Sequence, residues 1–450
     1  MPTHLIVLAA GQGSRMLSDL PKVLHRLGGA PLFVHALNAG AALEPDRRVL
    51  VVGHGGDLVR RAAAYDPEIA VAEQSEQLGT AHAVLCAREA LADAVGDVFV
   101  LYGDTPFVTG ETLERMAAAR ATHDVVVLGF QAADPGRYGR LVMAGDTLER
   151  IVEFKDGTDE ERSITLCNSG VVCADSSVLF DLLDAVGNDN AAGEYYLTDI
   201  VGIARARGLN ATAVTCAESE TLGINTRAEL ARAEALFQAR MRAEALDNGV
   251  TMTAPDTVFF SHDTMIGRDA VIEANVIFGP GVTIESEAQI RSFSHLEGCH
   301  VGARAVVGPF ARLRVGAELS NDVKVGNFVE IKNAMLGDGA KVNHLSYVGD
   351  ADIGDHANLG AGTVTCNYDG VFKHRTVIGA HAFIGSNTML VAPVTVGAHA
   401  MTASGSVITQ EVPEGALGIG RARQMLIPEF ATRMFEKLKK LKANGQKADG

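Results

Sequence analysis

No CxxC pair occurs among the six cysteines (Cys86, Cys167, Cys173, Cys216, Cys299 and Cys366), which excludes a disulfide frame or zinc site written in the spacing and leaves reduced thiols. Long apolar runs are missing as well. The N-terminal "HLIVLAA" is too short to cross a bilayer and has no basic segment before it, so neither a signal peptide nor a membrane helix is expected, and the chain is expected to be cytoplasmic. There is no basic excess: 39 Lys and Arg face 55 Asp and Glu, a formal net charge of -16. That excludes a surface made to coat nucleic acid, though not a basic pocket for a small phosphorylated ligand. With 47% hydrophobic residues over 450 positions, two or three domains with cores of their own are expected.

What is present falls into regions of different texture. Residues 1–226 alternate short apolar runs ("HLIVLAA", "RRVLVVGH", "VFVLYGD", "DVVVLGF", "GVVCAD") with helix-like stretches. Unbroken apolar runs suit strands buried on both faces, so a doubly wound, Rossmann-like α/β domain with a parallel sheet is expected. Ligands of such sheets lie beyond the carboxyl ends of the strands, which makes the polar residues after each run candidates. Residues 227–247, "RAELARAEALFQARMRAEALD", contain no Gly or Pro and predict a connecting helix. The last stretch, 431–450, is basic, ends in small polar residues and reads as a flexible tail.

Between them, from residue 266, the sequence reads in sixes: "IGRDAV", "IEANVI", "FGPGVT", "IESEAQ", then, after a five-residue step, "VGARAV", "VGPFAR", "LRVGAE", "LSNDVK" and onward to "TASGSV". An aliphatic residue opens nearly every unit, Gly often follows, and a small residue stands fifth. Three such units close one triangular coil with the aliphatic side chain inside, Gly easing the turns, so residues 248–430 are expected to form a left-handed parallel β-helix of hexapeptide repeats. The frame breaks at "TCNYDGVFKHRT" (365–376), an insertion that the scaffold does not need and so a functional candidate.

The turn "LAAGQGSRM" follows the first strand and is expected to precede a helix. Its spacing is neither GxGxxG nor GxxxxGK[ST], yet its glycines would let backbone N–H groups approach an anion, aided by the dipole of that helix. Arg15 and Lys22 add two cations suited to a transferring phosphoryl group. Together with "LPKVLH", "EQLGTAHA", "LYGDTPF", "YGRLV", "IVEFKD", "CNSGV", "EYYLTDI" and "LGINTR", the turn resembles the signatures of sugar nucleotidylyltransferases. With the hexapeptide region behind it, the chain to about residue 425 resembles the bacterial bifunctional N-acetylglucosamine-1-phosphate uridylyltransferase/glucosamine-1-phosphate acetyltransferase family.

The resemblance implies that UTP lies along Leu8, Ala9, Ala10 and Gly11, with Arg15 and Lys22 acting in catalysis. Gln74, Gly79 and Thr80 would read uracil. Tyr102, Gly103 and Asp104 would follow the sugar nucleotide, Asp104 and Asn225 would hold Mg²⁺, and Gly139, Glu153 and Asn168 would meet the sugar phosphate. Oxygen ligands of this kind suit a hard cation. Ser14, Ala81 and Gln12 depart slightly from the usual pattern without removing a group the chemistry needs.

On the solenoid, Arg314 and Lys332 lie eighteen residues apart, one coil, and would stack as a phosphate clamp. His344 follows in "KVNHLSYVGD"; an imidazole titrating near neutrality suits a base for amide formation. The resemblance implies His344 as general base, with Arg314, Lys332, Tyr347 and Lys373 on the phosphate of glucosamine-1-phosphate. Asn358 and Asn367 would orient the sugar. Ala361, Ser386, Ser404 and Arg421 would line the acetyl-CoA groove, beside Asn367 and Tyr368. Ser404 stands where Ala is usual. Cys366 is not needed as a nucleophile, because direct transfer from acetyl-CoA requires no thiolate. The same resemblance implies a homotrimer with acetyl sites between subunits and a product that feeds cell-wall and lipopolysaccharide synthesis. Two alternatives remain at this point: a single-activity nucleotidylyltransferase whose solenoid is structural, and a non-catalytic subunit of the same two domains, which the retained Arg15, Lys22, Asp104 and Asn225 oppose.

Overall fold

Unbroken apolar runs become the middle of a sheet in the computed structural model, which describes residues 2–444. Nine strands join: β1 (Thr3–Ala9), β2 (Arg47–Val52), β3 (Ile69–Glu73), β4 (Asp97–Tyr102), β5 (Val125–Gln131), β6 (Arg140–Ala144), β7 (Thr147–Val152), β8 (Leu166–Asp175) and β9 (Ala211–Cys216). The main order is β9-β5-β8-β4-β1-β2-β3, with β6 paired to β8 and β7. Alternate residues of one strand enter opposite cores. Ile6 packs with α3 (Thr80–Leu85), α5 (Ser176–Leu183) and α6 (Asp199–Ala206), whereas Leu5 and Val7 pack with α1 (Leu32–Ala41), α2 (Gly56–Ala63) and α4 (Gly110–Arg120). Helices on both faces make the sheet doubly wound.

One strand departs from the expected parallel arrangement. β8, which carries "GVVCAD", runs antiparallel to both β4 and β5. The chain leaves β5 through the β6–β7 hairpin rather than a crossover helix, so it returns in the opposite sense. A helix does form at 227–247, α7 (Arg227–Asp247), and it belongs to the first unit, its Phe237 and Ala233 packing with Leu27, Leu32, Phe107 and Ile224.

The chain divides into two compact units. The first runs to Asp247 and takes in Phe259–Thr264 and Phe278–Gly281; the second holds Asn248–Val258, Met265–Ile277 and the chain from Val282 on. The second is a left-handed parallel β-helix of short strands in columns. In one column Ile272, Ile290, Val307, Val325, Val342, Leu359 and Ile384 sit directly over one another, each at most 2% exposed. Each contributes roughly 1.5–3 kcal/mol of apolar burial. The small residue in fifth place is interior too: Ala270, Ala288, Ala305 and Ala357 are fully buried.

The glycines do two jobs. Left-handed turn angles fall on the fourth residue of a unit, where Gly281, Gly339, Gly362 and Gly405 ease the turn as expected, although Asp269, Glu287, Arg304, Asp322 and His356 take the same angles without being glycine. The glycine in second place instead permits close approach between coils: a Cβ on Gly267, Gly354 or Gly379 would stand 2.4–2.5 Å from a backbone nitrogen of the next coil. Where a flexible tail is expected at 431–450, a helix α8 spans Phe430–Ala443 with no buried residue. Its Ala, Leu, Lys and Glu favour helix even without packing. The end of the expected tail, 445–450, lies outside the described residues.

Candidate functional site

The carboxyl ends of β1 and β4 lie side by side, Leu8 opposite Tyr102, and Gly103 N–H donates to the Leu8 carbonyl at 2.9 Å. A cavity of about 300 Å³ opens there, walled by Leu8, Ala10, Gly11, Lys22, Gln74, Gly79, Thr80, Tyr102 and Asp104. Beyond β1 the expected helix does not form. Gly13 and Leu17 take left-handed angles (φ 64° and 50°) around a single three-residue turn, Ser14–Met16, and the first α-helix begins only at Leu32. Hence no α-helix begins at the turn itself, and the groups there that could meet an anion are backbone N–H groups and the nearby cations. A Cβ on Gly13 would stand 2.5 Å from Lys22 Cβ, so glycine there lets Lys22 come close. Arg15 is exposed beside the turn.

Lys22 Nζ donates to Asp104 Oδ2 and, at 3.0 Å, to Asn225 Oδ1. The ion pair is largely enclosed, with side-chain exposures of 13% and 18%. Three distant segments therefore converge on one point. Asn225 is free to serve there because Thr226 caps α7: Thr226 Oγ1 accepts from Glu229 N–H, while Glu229 accepts from the backbone of Asn225 and Thr226. Gln74 is buried, its amide donating to the Gly79 carbonyl at 3.0 Å. Thr80 Oγ1 accepts from Leu197 N–H at 3.0 Å.

Next to this cavity, Gly139, Glu153 and Asn168 form a second wall. Asn168 N–H donates to the Gly139 carbonyl at 2.8 Å, and a Cβ on Gly139 would lie 3.4 Å from Glu153 Oε1. Thr198 Oγ1 donates to that oxygen at 3.2 Å. Burial, helped by Asp156 and Asp199, pushes the Glu153 carboxyl up despite the Thr198 hydrogen bond. Burial likewise raises Tyr102 well above a phenol's usual range, next to Asp104. Three supporting residues escaped the sequence reading. Gln77 Nε2 donates to the Ala10 carbonyl at 2.8 Å, closing the wall beside the turn. Gly170 leaves room for Tyr102, whose ring would lie 2.7 Å from a Cβ there. Thr198 orients Glu153. Each lies inside a stretch that carries the resemblance, Gln77 in "EQLGTAHA", Gly170 in "CNSGV" and Thr198 in "EYYLTDI", but the motif alone gave none of them a role.

On the solenoid the candidates separate into two groups on successive edges. His344 stands over Asn327, whose Oδ1 accepts from His344 Nδ1 at 2.8 Å. That contact selects the tautomer with a free lone pair on Nε2. Asn327 was not anticipated. Above His344 the same edge continues coil by coil: Gly362 N–H donates to the His344 carbonyl, Asn387 N–H to Ala361, Gly405 N–H to Ser386, and Arg421 reaches the Ser404 carbonyl at 2.6 Å. His344, Ala361, Ser386, Ser404 and Arg421 thus form one column. Asn358 opens a strand of this sheet, over Lys341.

The other group gathers cations. Arg314 N–H donates to the Ile331 carbonyl, which seats Arg314 directly beneath Lys332. The Arg314 guanidinium pairs with Glu330 at 2.8 Å, near Tyr347. Contact with the Lys373 ammonium, together with the charges of Lys373 and Arg314, pushes Lys332 down. Lys373 comes from the insertion, where one coil step lengthens, Asn358 pairing with Phe383. The insertion is a small hairpin, Tyr368 bridging Lys373. Asp369 accepts from Val371 and Phe372 N–H and from His374, and these bonds, that from His374 foremost, hold its carboxyl at about 2. Asn367 is buried and donates to Asp350. Among the described residues no hydrogen bond or ion pair joins the His344 column to the cation group.

All six cysteines are free, and burial pushes the Cys366 thiol up, away from thiolate. No described helix is long and apolar enough to cross a membrane. No described cluster of three His, Cys, Asp or Glu could cage a metal.

Comparison with known proteins agrees with both architectures. A family described as MobA-like NTP transferase domain matches residues 5–180, and one described as bacterial transferase hexapeptide (six repeats) matches residues 375–410. The bifunctional protein GlmU of Jannaschia sp. is 65% identical over 443 residues, 98% of this chain and 97% of that protein. Its counterpart in Cereibacter sphaeroides is 67% identical over 433 residues (96% and 95%), and that of Roseobacter denitrificans 62% identical over 448 (99% and 100%). With such identity over nearly the whole of each chain, both units and both candidate sites included, the chain belongs to the family of bifunctional GlmU proteins.

Proposed function

We propose that the chain makes UDP-N-acetylglucosamine in two steps: acetyl transfer from acetyl-CoA to glucosamine-1-phosphate, then uridylyl transfer from UTP to N-acetylglucosamine-1-phosphate with release of pyrophosphate. The observation that carries the reading is that near-full-length kinship to bifunctional proteins coincides with two chemically distinct sites in one chain. A structural solenoid would give no reason for an Asn327-oriented His344 or for three converging cations.

In uridylyl transfer, the oxygen of the sugar-1-phosphate attacks the α-phosphorus of UTP, an O–P bond forms, and the bond to the leaving pyrophosphate breaks. No side-chain nucleophile is required, because positioning and charge neutralisation carry such transfers. Lys22 and Arg15 offset charge at the phosphates over the Gly11–Gly13 turn. Gln74, Gly79 and Thr80 hold uracil in the wall beside it, and Glu153, Asn168 and Gly139 orient the sugar. Asp104 and Asn225 would hold Mg²⁺: their oxygens already converge on a cation, the Lys22 ammonium, and an acid plus an amide is a donor set that leaves coordination to phosphate and water. When bound, the ion would supply positive charge against the phosphates.

In acetyl transfer, the amine of glucosamine-1-phosphate attacks the thioester carbonyl. The C–N bond forms, the C–S bond breaks to release coenzyme A, and His344 Nε2 takes the amine proton. Arg314, Lys332, Lys373 and Tyr347 hold the sugar's phosphate; Asn358 and Asn367 orient the sugar; Ala361, Ser386, Ser404, Tyr368 and Arg421 follow the acetyl-CoA.

The working form is a homotrimer. Phe293, Phe310 and Phe328 stack at 5.0 and 5.2 Å and lie about half exposed along the edge next to His344, with exposed Leu345 after them. Such an apolar stripe favours a protein partner, and a second copy there would bring a cation group to the His344 column. Six free thiols support work in the reducing cytoplasm. Incubation with acetyl-CoA and glucosamine-1-phosphate should release thiol, and UTP with N-acetylglucosamine-1-phosphate and Mg²⁺ should release pyrophosphate. Thiol release without pyrophosphate, or the reverse, would refute the two-step reading; dTTP in place of UTP tests the base.

A further inference from the structure

We infer that Asp350, which has no role in the reading above, is a positioning residue of the acetyl-transfer site: a fixed anion that seats the Lys332–Lys373 pair and ties the root of the inserted hairpin to the coil beneath it. The inference rests on the proposal that these lysines hold the phosphate of glucosamine-1-phosphate.

Asp350 occupies the middle of a three-rung ladder along one edge of the solenoid. Asn333, one coil below, donates through Nδ2 to Asp350 Oδ1 at 2.5 Å, and Asn367, one coil above, donates through Nδ2 to Oδ2. Asp350 and Asn333 both have left-handed backbone angles, φ 48° and 45°, which turn their short side chains along the edge. Asp350 is 8% exposed. Both of its oxygens are therefore engaged by neutral amides, and its charge is not consumed by a direct ion pair.

The charges around it are unbalanced. Lys332 pairs in register with Gly349, the residue before Asp350, and its ammonium meets that of Lys373, with Arg314 one coil away. Glu330 answers Arg314 at 2.8 Å. Asp350 answers the two lysines: it favours the charged form of Lys332, and both lysines favour its own. Burial works against the carboxylate, but the two amide bonds and the lysine charges outweigh it and hold Asp350 below the usual carboxylate range. A neutral residue here would leave two ammonium groups facing each other with no acid between coils, so one would shed its proton or swing to solvent before substrate arrived. Because amides rather than the lysines hold Asp350 in place, the lysine N–H donors stay available to an incoming phosphate. The same carboxylate seats Asn367, and His374 N–H closes the hairpin by donating to the Asn367 carbonyl at 2.8 Å.

Asp350→Asn in the full chain keeps the size, removes the charge and sets one of its own amide N–H groups against a donor of the ladder. Its KM for glucosamine-1-phosphate should rise at least tenfold at pH 7.5. The gap from wild type should widen between pH 7.5 and 9, because a lysine now loses its proton earlier; Asp350→Glu should narrow that widening. KM for acetyl-CoA and the rate of uridylyl transfer should change less than twofold. A merely structural part would depress turnover at all pH values alike without a pH-dependent KM. A variant with wild-type KM and pH profile overturns the inference. If Asp350→Asn yields no folded protein, Asn333→Gly decides: it removes one of the two donors at an exposed position whose positive φ suits glycine. The same KM should then rise at least threefold, and an unchanged KM overturns the inference. Failure of the underlying reading looks different: wild-type protein would not acetylate glucosamine-1-phosphate at all, or Lys332→Ala would leave its KM unchanged.

Discussion

Replacing Gly79 by Ala should damage the first site through one methyl group. Gly79 has φ 121° and ψ 179°, a region in which essentially only glycine rests. A Cβ there would stand 2.5 Å from the Tyr195 carbonyl oxygen and 2.8 Å from Tyr195 N. Neither is the end of a flexible side chain. The same stretch is stitched by Ala81 N–H donating to Tyr195 O at 3.0 Å and Tyr195 N–H to Leu78 O at 2.8 Å. The methyl must therefore either displace residues 194–196, with Glu194 of the cavity wall, or force the backbone out of its angles. Strained backbone costs about 1–3 kcal/mol. Loosening two hydrogen bonds adds roughly 0.5–1.5 kcal/mol each. A total near 3 kcal/mol corresponds to a Tm lower by about 6–12 °C for a unit of this size. Calorimetry on the full chain measures that, and KM for UTP should rise at least tenfold, about 1.4 kcal/mol of lost binding. Gly202→Ala is the control: it lies inside α6 with nothing within 4 Å of its Cβ, and should raise stability by about 0.4–1 kcal/mol. A Gly79→Ala protein indistinguishable from Gly202→Ala in Tm and in KM for UTP would refute the reasoning.

Two further outcomes follow from the site geometry. Glu153 has its folded pKa raised chiefly by burial, so its contribution to stability is fully present below the ordinary value of 4.5 and is lost as pH rises through the raised value. Glu153→Gln should therefore melt higher than wild type at pH 7.5, with the gain gone by pH 4, while KM for the sugar phosphate increases; a gain equal at both pH values would contradict the burial argument. Asn327→Ala should lower acetyl-transfer turnover about tenfold to a hundredfold by freeing the His344 tautomer, part of the roughly 10²–10⁴ that a positioned base contributes. Thiol release at saturating substrates measures it, and an undiminished rate would mean that the Asn327 contact has no catalytic part.

Much of this was legible in the sequence because the strongest signals are periodic or clustered. The aliphatic residue opening each hexapeptide had to point inward, and it does, from Ile272 to Ile384. Lys22, Asp104 and Asn225 could be proposed from motifs, although 203 residues separate the first from the last. What escaped was geometry without a local pattern. The direction of β8 depends on a hairpin where a crossover helix would otherwise stand, and apolarity alone does not encode strand sense. The helix expected after the Gly turn fails because Gly13 and Leu17 turn left-handed. The second-place glycines of the repeats answer the next coil's backbone, a contact made about 18 residues away, rather than their own torsions. Asn327, Gly170 and Asp350 act by supporting other side chains, and such residues resemble ordinary scaffold until their neighbours are known.

The central claim is that two independent sites share the work, and one paired assay addresses it. Asp104→Asn and His344→Ala proteins, each verified to keep the wild-type assembly, are assayed side by side for pyrophosphate release from UTP and thiol release from acetyl-CoA. The account predicts that Asp104→Asn loses the first and keeps the second, and that His344→Ala does the reverse. Loss of both activities in either protein, or of neither, would contradict it.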